Sequence, residues 1–369
     1  MSNHPPSLID WRNAAAEAQS MLPRGNSPRR AYVLEPSPPA VRVPPYFADD
    51  PATPGSGCPG DHAGRLAPDG LVGTETVTPT SAGDVTWREL AGHSEELAHF
   101  ARDRWLGPWR RLGPLPDDYL RCLVDAHRLA YAVVAEARRQ SNGKFGLRYT
   151  VGGFGTPFFP RDGRDTQVRV LAGQIVVQSG EEVSVAAIDS LANAAAHCGV
   201  TPGTEAAEHD SPPLGDLQRA LRVDADLTAF LGDWFGFAFS VLEELRLTPG
   251  ARDVGRTQLW PGHFDPAVEL TAGEPTDDPR GSQSGDPSPA SDDGDISRRA
   301  TYGASPGDQA NPTPYLYVGP WDGIDDDPYW NAESFGGAAL GYDELLDARD
   351  QRRAALEFFG AGYERLSRR

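Results

Sequence analysis

The run 227–242 carries Phe230, Leu231, Trp234, Phe235, Phe239 and Leu242 on one short segment. A stretch this apolar must be shielded from water over most of its surface. A bilayer would do so, but spanning one takes about 20 residues, and 227–242 is shorter and contains Asp233. The run therefore predicts a helix buried on most sides, with Phe230, Leu231, Trp234, Phe235, Phe239 and Leu242 pointing into protein.

What surrounds that helix follows from periodicity. Thr86 with Glu89 three positions on is a capping-box spacing, and apolar residues recur at helical intervals through Leu97, Phe100 and Trp105 to about Trp109. A second helix, 117–139, aligns Leu120, Leu123, Val124, His127, Tyr131 and Val134 on one face. After Gly143 the period becomes two. Phe145, Leu147, Tyr149 and Val151 alternate with smaller or polar residues and predict a half-buried strand. Val168 and Val170, then Ile175 and Val177, flank Ala172-Gly173 as an antiparallel hairpin. A short helix, 188–198, stops at Gly199, and the buried helix extends over 224–246. Strands follow at 257–260, 267–270, 314–318 and 335–342. A final helix, 343–366, buries Leu345, Leu346, Leu356, Phe359 and Tyr363. Strands followed by helices, without regular βαβ spacing, predict an α+β fold with two mainly antiparallel sheet portions packed against long helices.

Only 39% of the residues are hydrophobic, and there are 40 Gly and 34 Pro, so part of the chain falls outside that core. Residues 1–85 hold a short helix at 8–21, then a Pro-punctuated and Gly/Thr-rich arm that is extended or disordered. Within it, Ala31, Tyr32, Val33 and Leu34 form a segment able to dock on the body as a clasp. Residues 271–300 contain seven acids and three arginines with few large apolar side chains, which predicts an acidic disordered insertion. The globular domain then covers 86–366.

The net charge of −19 disfavours nucleic acid and anionic membrane surfaces as partners, since both require clustered Lys and Arg. Lys144 is the single lysine. Cys58, Cys122 and Cys198 are too few and too far apart for a disulfide framework or a zinc cluster. Met1 opens a polar, Pro-containing stretch rather than a secretory leader, which predicts a cytoplasmic location.

Several segments resemble a family when taken in order. They are Asn142 to Tyr149 (NGKFGLRY), Gly153 to Phe159 (GFGTPFF), Leu259 to Asp265 (LWPGHFD), Ser305 to Asp308 (SPGD) and Pro314 to Val318 (PYLYV). Over roughly 117–366 the chain resembles a group of uncharacterised bacterial proteins widespread in GC-rich genomes. The family's function is unknown, so the resemblance implies no catalytic residues and no cofactor. The insertion at 271–300 departs from the family's more compact spacing.

Some motifs suggest chemistry and fail on physical grounds. Gly303-Ala304-Ser305-Pro306-Gly307 matches a nucleophile elbow, yet Pro306 has no N–H for an oxyanion hole and no histidine follows Ser305. A tight turn with Asp308 bonding local amides is the better reading. His93 and His99 are six apart and fall on different helical faces. Lys144 lacks the flanking residues of a phosphate loop. Gly152-Gly153-Phe154-Gly155 is not a dinucleotide fingerprint; its glycines let two backbones approach or bend a strand. Asp322, Asp325, Asp326 and Asp327 lack EF-hand spacing and form a solvated acidic loop.

One constellation survives. His263 and Asp265, two apart on a strand, share a face. Asp308 leaves a turn in the same half, and Glu333 stands near Trp330 and before a strand. Convergence of His263, Asp265 and Asp308 would supply an acid–base pair or three metal ligands. Lys144 and Arg148 share a strand parity and could meet an anionic ligand, while Trp260 and Trp330 beside Gly-rich turns suggest an aromatic-lined pocket. The leading expectation is a small-molecule-binding or scaffold protein without catalysis. The alternatives are an acid–base or metal-dependent enzyme using His263, Asp265 and Asp308, and a partner-binding module using the arm and the acidic loop.

Overall fold

A computed structural model describes residues 112–150, 152–157, 159–179, 182–208, 211–273 and 296–369, together with a two-residue antiparallel pairing of Glu35–Pro36 with Thr74–Glu75. The expected helices at 8–21 and 86–109, the clasp at 31–34, His93, His99 and most of the insertion lie outside the described residues.

The apolar run forms a helix of 21 residues, Ala225–Leu245, capped where the Asp224 side chain accepts from Leu227 N–H at 2.8 Å. By length and composition it could cross a membrane, which corrects the expectation that the run is too short. Its cover is protein instead: 78% of its most apolar window is buried by the elements around it.

Those elements give the expected α+β fold. Before the central helix come α1 (Tyr119–Leu129), a π-helical turn (Ala130–Val134) and α2 (Ala135–Asn142), which run without a break. In the π turn, Ala135 N–H bonds to Ala130 O, five residues back. Next are β1 (Arg148–Thr150), β2 (Gly153–Gly155), β3 (Phe159–Arg161), β4 (Arg164–Leu171), β5 (Gln174–Ser179), β6 (Glu182–Ala187) and α3 (Leu191–Cys198). The apolar helix is α4. It is followed by β7 (Gln258–Trp260), β8 (Asp265–Thr271), β9 (Arg299–Ser305), β10 (Tyr315–Pro320), β11 (Ala338–Gly341), α5 (Tyr342–Asp347) and α6 (Gln351–Ser367). One antiparallel sheet has the order β1-β2-β4-β5-β6, with β3 paired to β4; the other has β11-β10-β9-β8-β7. Leu147 and Leu259 exchange backbone bonds of 2.8 and 3.2 Å and so join the sheets edge to edge. Helix α4 packs across both, against β1, β2 and β4 on one side and β8 and β9 on the other.

Two backbones meet at this crossing. A Cβ added at Gly232 of α4 would lie 2.4 Å from Gly153 N and 2.7 Å from Gly152 C. The glycines around Phe154 thus serve close approach, as their spacing suggested. The hairpin turn at Ala172 (φ 50°) and Gly173 (φ 68°) has the paired positive angles of a tight two-residue turn.

Other expectations need correction. The strand at 145–151 shortens to β1, where Arg148 is as buried as its neighbours, so the half-buried alternation fails. The final helix is two helices: Ala348 is extended (ψ 132°), and Asp350 restarts the second by accepting from Arg353 N–H at 3.0 Å. Residues 303–305 belong to β9, so the turn begins only after Ser305; Gly307 then takes φ 104°. Strands β3, β6 and β9 were not anticipated, and the insertion expected over 271–300 is shorter at both ends: Thr271 closes β8, Ala272 is buried, and β9 already begins at Arg299.

Arginine forks tie loops to the frame through carbonyls. Arg128 donates to Leu214 O, Arg138 to Gly146 O, Arg161 to Cys198 O and Arg246 to Gly255 O. Several directed donors per side chain suit this work better than a single ammonium point.

Burial pushes the Cys198 thiol up to about 12 and raises that of Cys122 as well. At pH 8 the Cys198 thiolate is then roughly one part in 10,000. Native protein treated with iodoacetamide at pH 8 is expected to leave both residues unmodified in a peptide mass map until denaturant is added. Rapid native labelling of Cys198 would contradict the packing around α3.

Candidate functional site

A groove of about 1020 Å³ opens on the face of the second sheet turned away from α4. Strand alternation sets that face. Val268 and Leu270 of β8 enter the core, while Asp265, Ala267 and Glu269 line the groove. Thr301 and Ser305 of β9 and Tyr315, Tyr317 and Gly319 of β10 continue the floor. Leu120, Leu123, Val124 and His127 of α1 form one wall. The face that the periodicity aligned thus supplies part of the groove as well as core.

The turn 261–264 between β7 and β8 is the central feature, with Trp260 and Asp265 directly paired across it. Phe264 adopts φ 58°, a costly angle for a bulky side chain. Packing sustains it: the ring is fully buried, stacked on His127 at 5.2 Å and edge-on to Phe154 at 5.0 Å and Phe235 at 5.2 Å. His127 Nε2 lies 2.9 Å from both Pro261 O and Gly262 O. Both partners are acceptors, so Nε2 carries the proton and donates. Ser211 donates to Gly262 O at 2.6 Å, fixing the loop that bears Glu208 over the turn.

His263 and Asp265 therefore do not share a strand face. His263 is an exposed turn residue and Asp265, 3% exposed, begins β8. The left-handed step at Phe264 breaks the parity on which that expectation rested. Even so, Trp260, His263, Asp265 and Asp308 all line the groove.

Two tyrosines hold the carboxylates. Tyr317 donates to Asp265 Oδ2, and Tyr315 to Asp308 Oδ2 at 3.3 Å. Burial, and then the Asp265 charge, hold the Tyr317 phenol well above its ordinary value. Burial also raises Tyr315, with Asp308 adding to the shift. Both phenols remain protonated donors at neutral pH. Gly303 makes the first pair possible: a Cβ there would lie 2.4 Å from the Tyr317 ring, which crosses β9 at that point. Asp308 Oδ1 accepts from Ala310 and Asn311 N–H, each at 2.7 Å, the local amide turn its sequence suggested. Tyr119 donates to Pro306 O at 2.6 Å and anchors this loop to α1.

Neither a scan of protein-family models nor comparison with curated proteins and solved structures finds a match. The chemistry of the groove must carry the reading.

Four expected site residues lie elsewhere. Lys144 is exposed outside the groove lining, and Arg148 is buried in β1. Trp330 is buried, donating to Asp325 at 2.7 Å and packed edge-on against Tyr329 at 4.8 Å. Glu333 is exposed, although Ser334 and Phe335 beside it reach the rim. The loop 322–327 is solvated as expected, with Asp322, Asp325 and Asp326 exposed, and Asp327 ties it to α6: it accepts from Arg365 at 2.9 Å, and its carboxyl is lowered by the Tyr329 N–H and then by that guanidinium. Among the described residues, no three His, Cys, Asp or Glu side chains converge as a metal ion would require. His263, Asp265 and Asp308 thus share a cavity without forming a ligand set. Sequence reasoning missed Tyr315, Tyr317, His127, Glu208 and Glu269; only the alternation Tyr315-Leu316-Tyr317 carried a signal for any of them.

Proposed function

We propose that the chain binds a small molecule in this groove and holds it without chemical change. The supporting observation is convergence: Trp260, His263, Asp265 and Asp308, from a hairpin and a distant turn, line one cavity of about 1020 Å³. That is the scale of a ligand site with a few placed polar groups among apolar ones. The polar groups have fixed roles. Asp265 and Asp308 accept from tyrosines whose raised phenols stay protonated, an arrangement that orients a ligand rather than exchanging protons with it.

A heat-stability screen of metabolites tests this. A ligand at 100 times its dissociation constant should add about 2.7 kcal/mol. His263→Ala alters an exposed position and should leave the unliganded stability within about 0.5 kcal/mol of the parent, whereas Trp260→Ala, at a residue only 39% exposed, should cost about 1–2 kcal/mol. Each should remove most of a ligand's stabilisation. Ligands that stabilise both variants as well as the parent would place binding elsewhere and end this reading.

A further inference from the structure

The ends of the groove constrain what it can hold. Among the described residues two indoles are exposed, Trp260 at 39% and Trp321 at 49%. Trp260 lines the groove beside Asp265, its cross-strand partner. Trp321 stands just past β10 at the opposite rim, beyond Gly319 and Pro320 of the lining. Its Nε1–H donates to Thr301 of the floor at 3.1 Å, and its backbone N–H to Arg299 O at 3.0 Å. Arg299 is in turn the partner of Thr271. The two indoles therefore occupy rows at the first and last residues of β8, about 20 Å apart along the strands at their usual rise.

Between these platforms the floor is low and polar. Ala267, Thr301 and Gly319 carry short side chains or none, and Ser305, Gln309 and Asn311 add a hydroxyl and two amides. The floor carboxylates are held. Asp265 accepts from Tyr317, Asp308 from Tyr315 and two backbone amides, and Glu269 from Arg299 at 3.1 Å. A carboxylate has about four lone-pair sites, so each can still accept from a hydroxyl although its charge is already answered. His127 is committed to the 261–264 turn, and His263 adds an exposed imidazole that can donate or accept.

Resting on the small-molecule reading, we propose that the ligand is a neutral oligosaccharide lying along the groove, with one pyranose ring on Trp260 and another on Trp321. A pyranose offers a flat C–H face to an indole and a rim of hydroxyls that both donate and accept. That pattern fits two aromatic platforms joined by a polar floor. An anion would face Glu208, Asp265, Glu269 and Asp308 with no Lys or Arg on the lining. A cation would compete with the partners that three of those acids already have. A purely apolar ligand would strip water from Asp265, Thr301 and Ser305 and return no hydrogen bond.

Calorimetric titration of the full chain with cellopentaose, maltopentaose, xylopentaose and penta-N-acetylchitopentaose, each beside its disaccharide, tests the assignment. At least one pentasaccharide should bind about tenfold more tightly than its disaccharide, which is too short to touch both indoles. Added salt should barely change that affinity, because the ligand is uncharged. Trp321→Ala should abolish the length advantage, and Trp321→Phe should restore most of it. The disaccharide, bound at Trp260, should keep its affinity in both variants and so report an intact groove. Tighter binding of L-argininamide, or of a blocked alanine–serine pentapeptide, than of every pentasaccharide would overturn the sugar and leave the groove standing. So would pentasaccharide binding that Trp321→Ala does not weaken, or no binding by any of the four. The groove reading itself falls only if screened ligands ignore Trp260 and His263.

Discussion

Gly232→Ala should destabilise the protein by about 2–3 kcal/mol, whereas Gly360→Ala should stabilise it by about 0.5–1 kcal/mol. Both glycines lie inside helices, α4 and α6, where alanine gains roughly 1 kcal/mol in backbone propensity. Their surroundings reverse the sign. At Gly360 an added Cβ meets nothing within 4 Å. At Gly232 it meets Gly153 N at 2.4 Å and Gly152 C at 2.7 Å. These are backbone atoms of β2 and its approach, which cannot swing aside as a side chain would. To admit one methyl, α4 must withdraw from the sheet and open gaps around Phe154 and Phe235, whose rings meet edge-on at 6.4 Å. Urea unfolding of the two variants against the parent reads the difference directly. If Gly232→Ala proves as stable as Gly360→Ala, the helix does not press on the strand, and the packing of α4 across the sheet junction is wrong.

That contact also shows which features could be anticipated. Gly152, Gly153 and Gly155 stood out because nucleotide chemistry did not fit them, leaving backbone proximity as the remaining role. The partner, Gly232, gave no signal, since nothing local links it to a strand about 80 residues earlier. The α+β architecture, the buried helix, the Ala172-Gly173 hairpin and the stop at Gly199 were all legible, because each is written in adjacent residues as period, cap or turn chemistry. The groove was half legible. His263, Asp265 and Asp308 were chosen for their chemistry, and the cavity does unite them, but the assumed strand parity between His263 and Asp265 was wrong. Phe264 breaks it with a left-handed angle that only long-range packing on His127, Phe154 and Phe235 can sustain. The α1 wall could not be read as a wall for a related reason. Leu120, Leu123 and Val124 look the same in sequence whether they face a core or the side of a groove. Lys144 and Arg148 were grouped by a strand that stops short of Lys144.

Asp125→Ala should cost about 3–5 kcal/mol. Asp125 lies on α1 with only 3% of its side chain exposed, and it accepts from Arg219, from Arg222 N–H at 3.0 Å and from Arg128 at 3.5 Å. Arg128 is equally buried, and it also donates to the carbonyls of Leu214 and Asp216. Removing the acid therefore strands a buried guanidinium and releases the 214–222 segment from α1. Most of the cost is that stranded charge, since Arg219 is 47% exposed and its share is screened. Asp125→Asn retains an acceptor for Arg222 N–H and should lose about 1–3 kcal/mol. Replacing Asp125 and Arg128 together with leucine should recover much of the Asp125→Ala loss, because no charge is left unpaired. Denaturant titration of the three variants decides it: a double variant less stable than Asp125→Ala would show that the carbonyl bonds of Arg128, and not its pairing with Asp125, hold the 214–222 segment against α1.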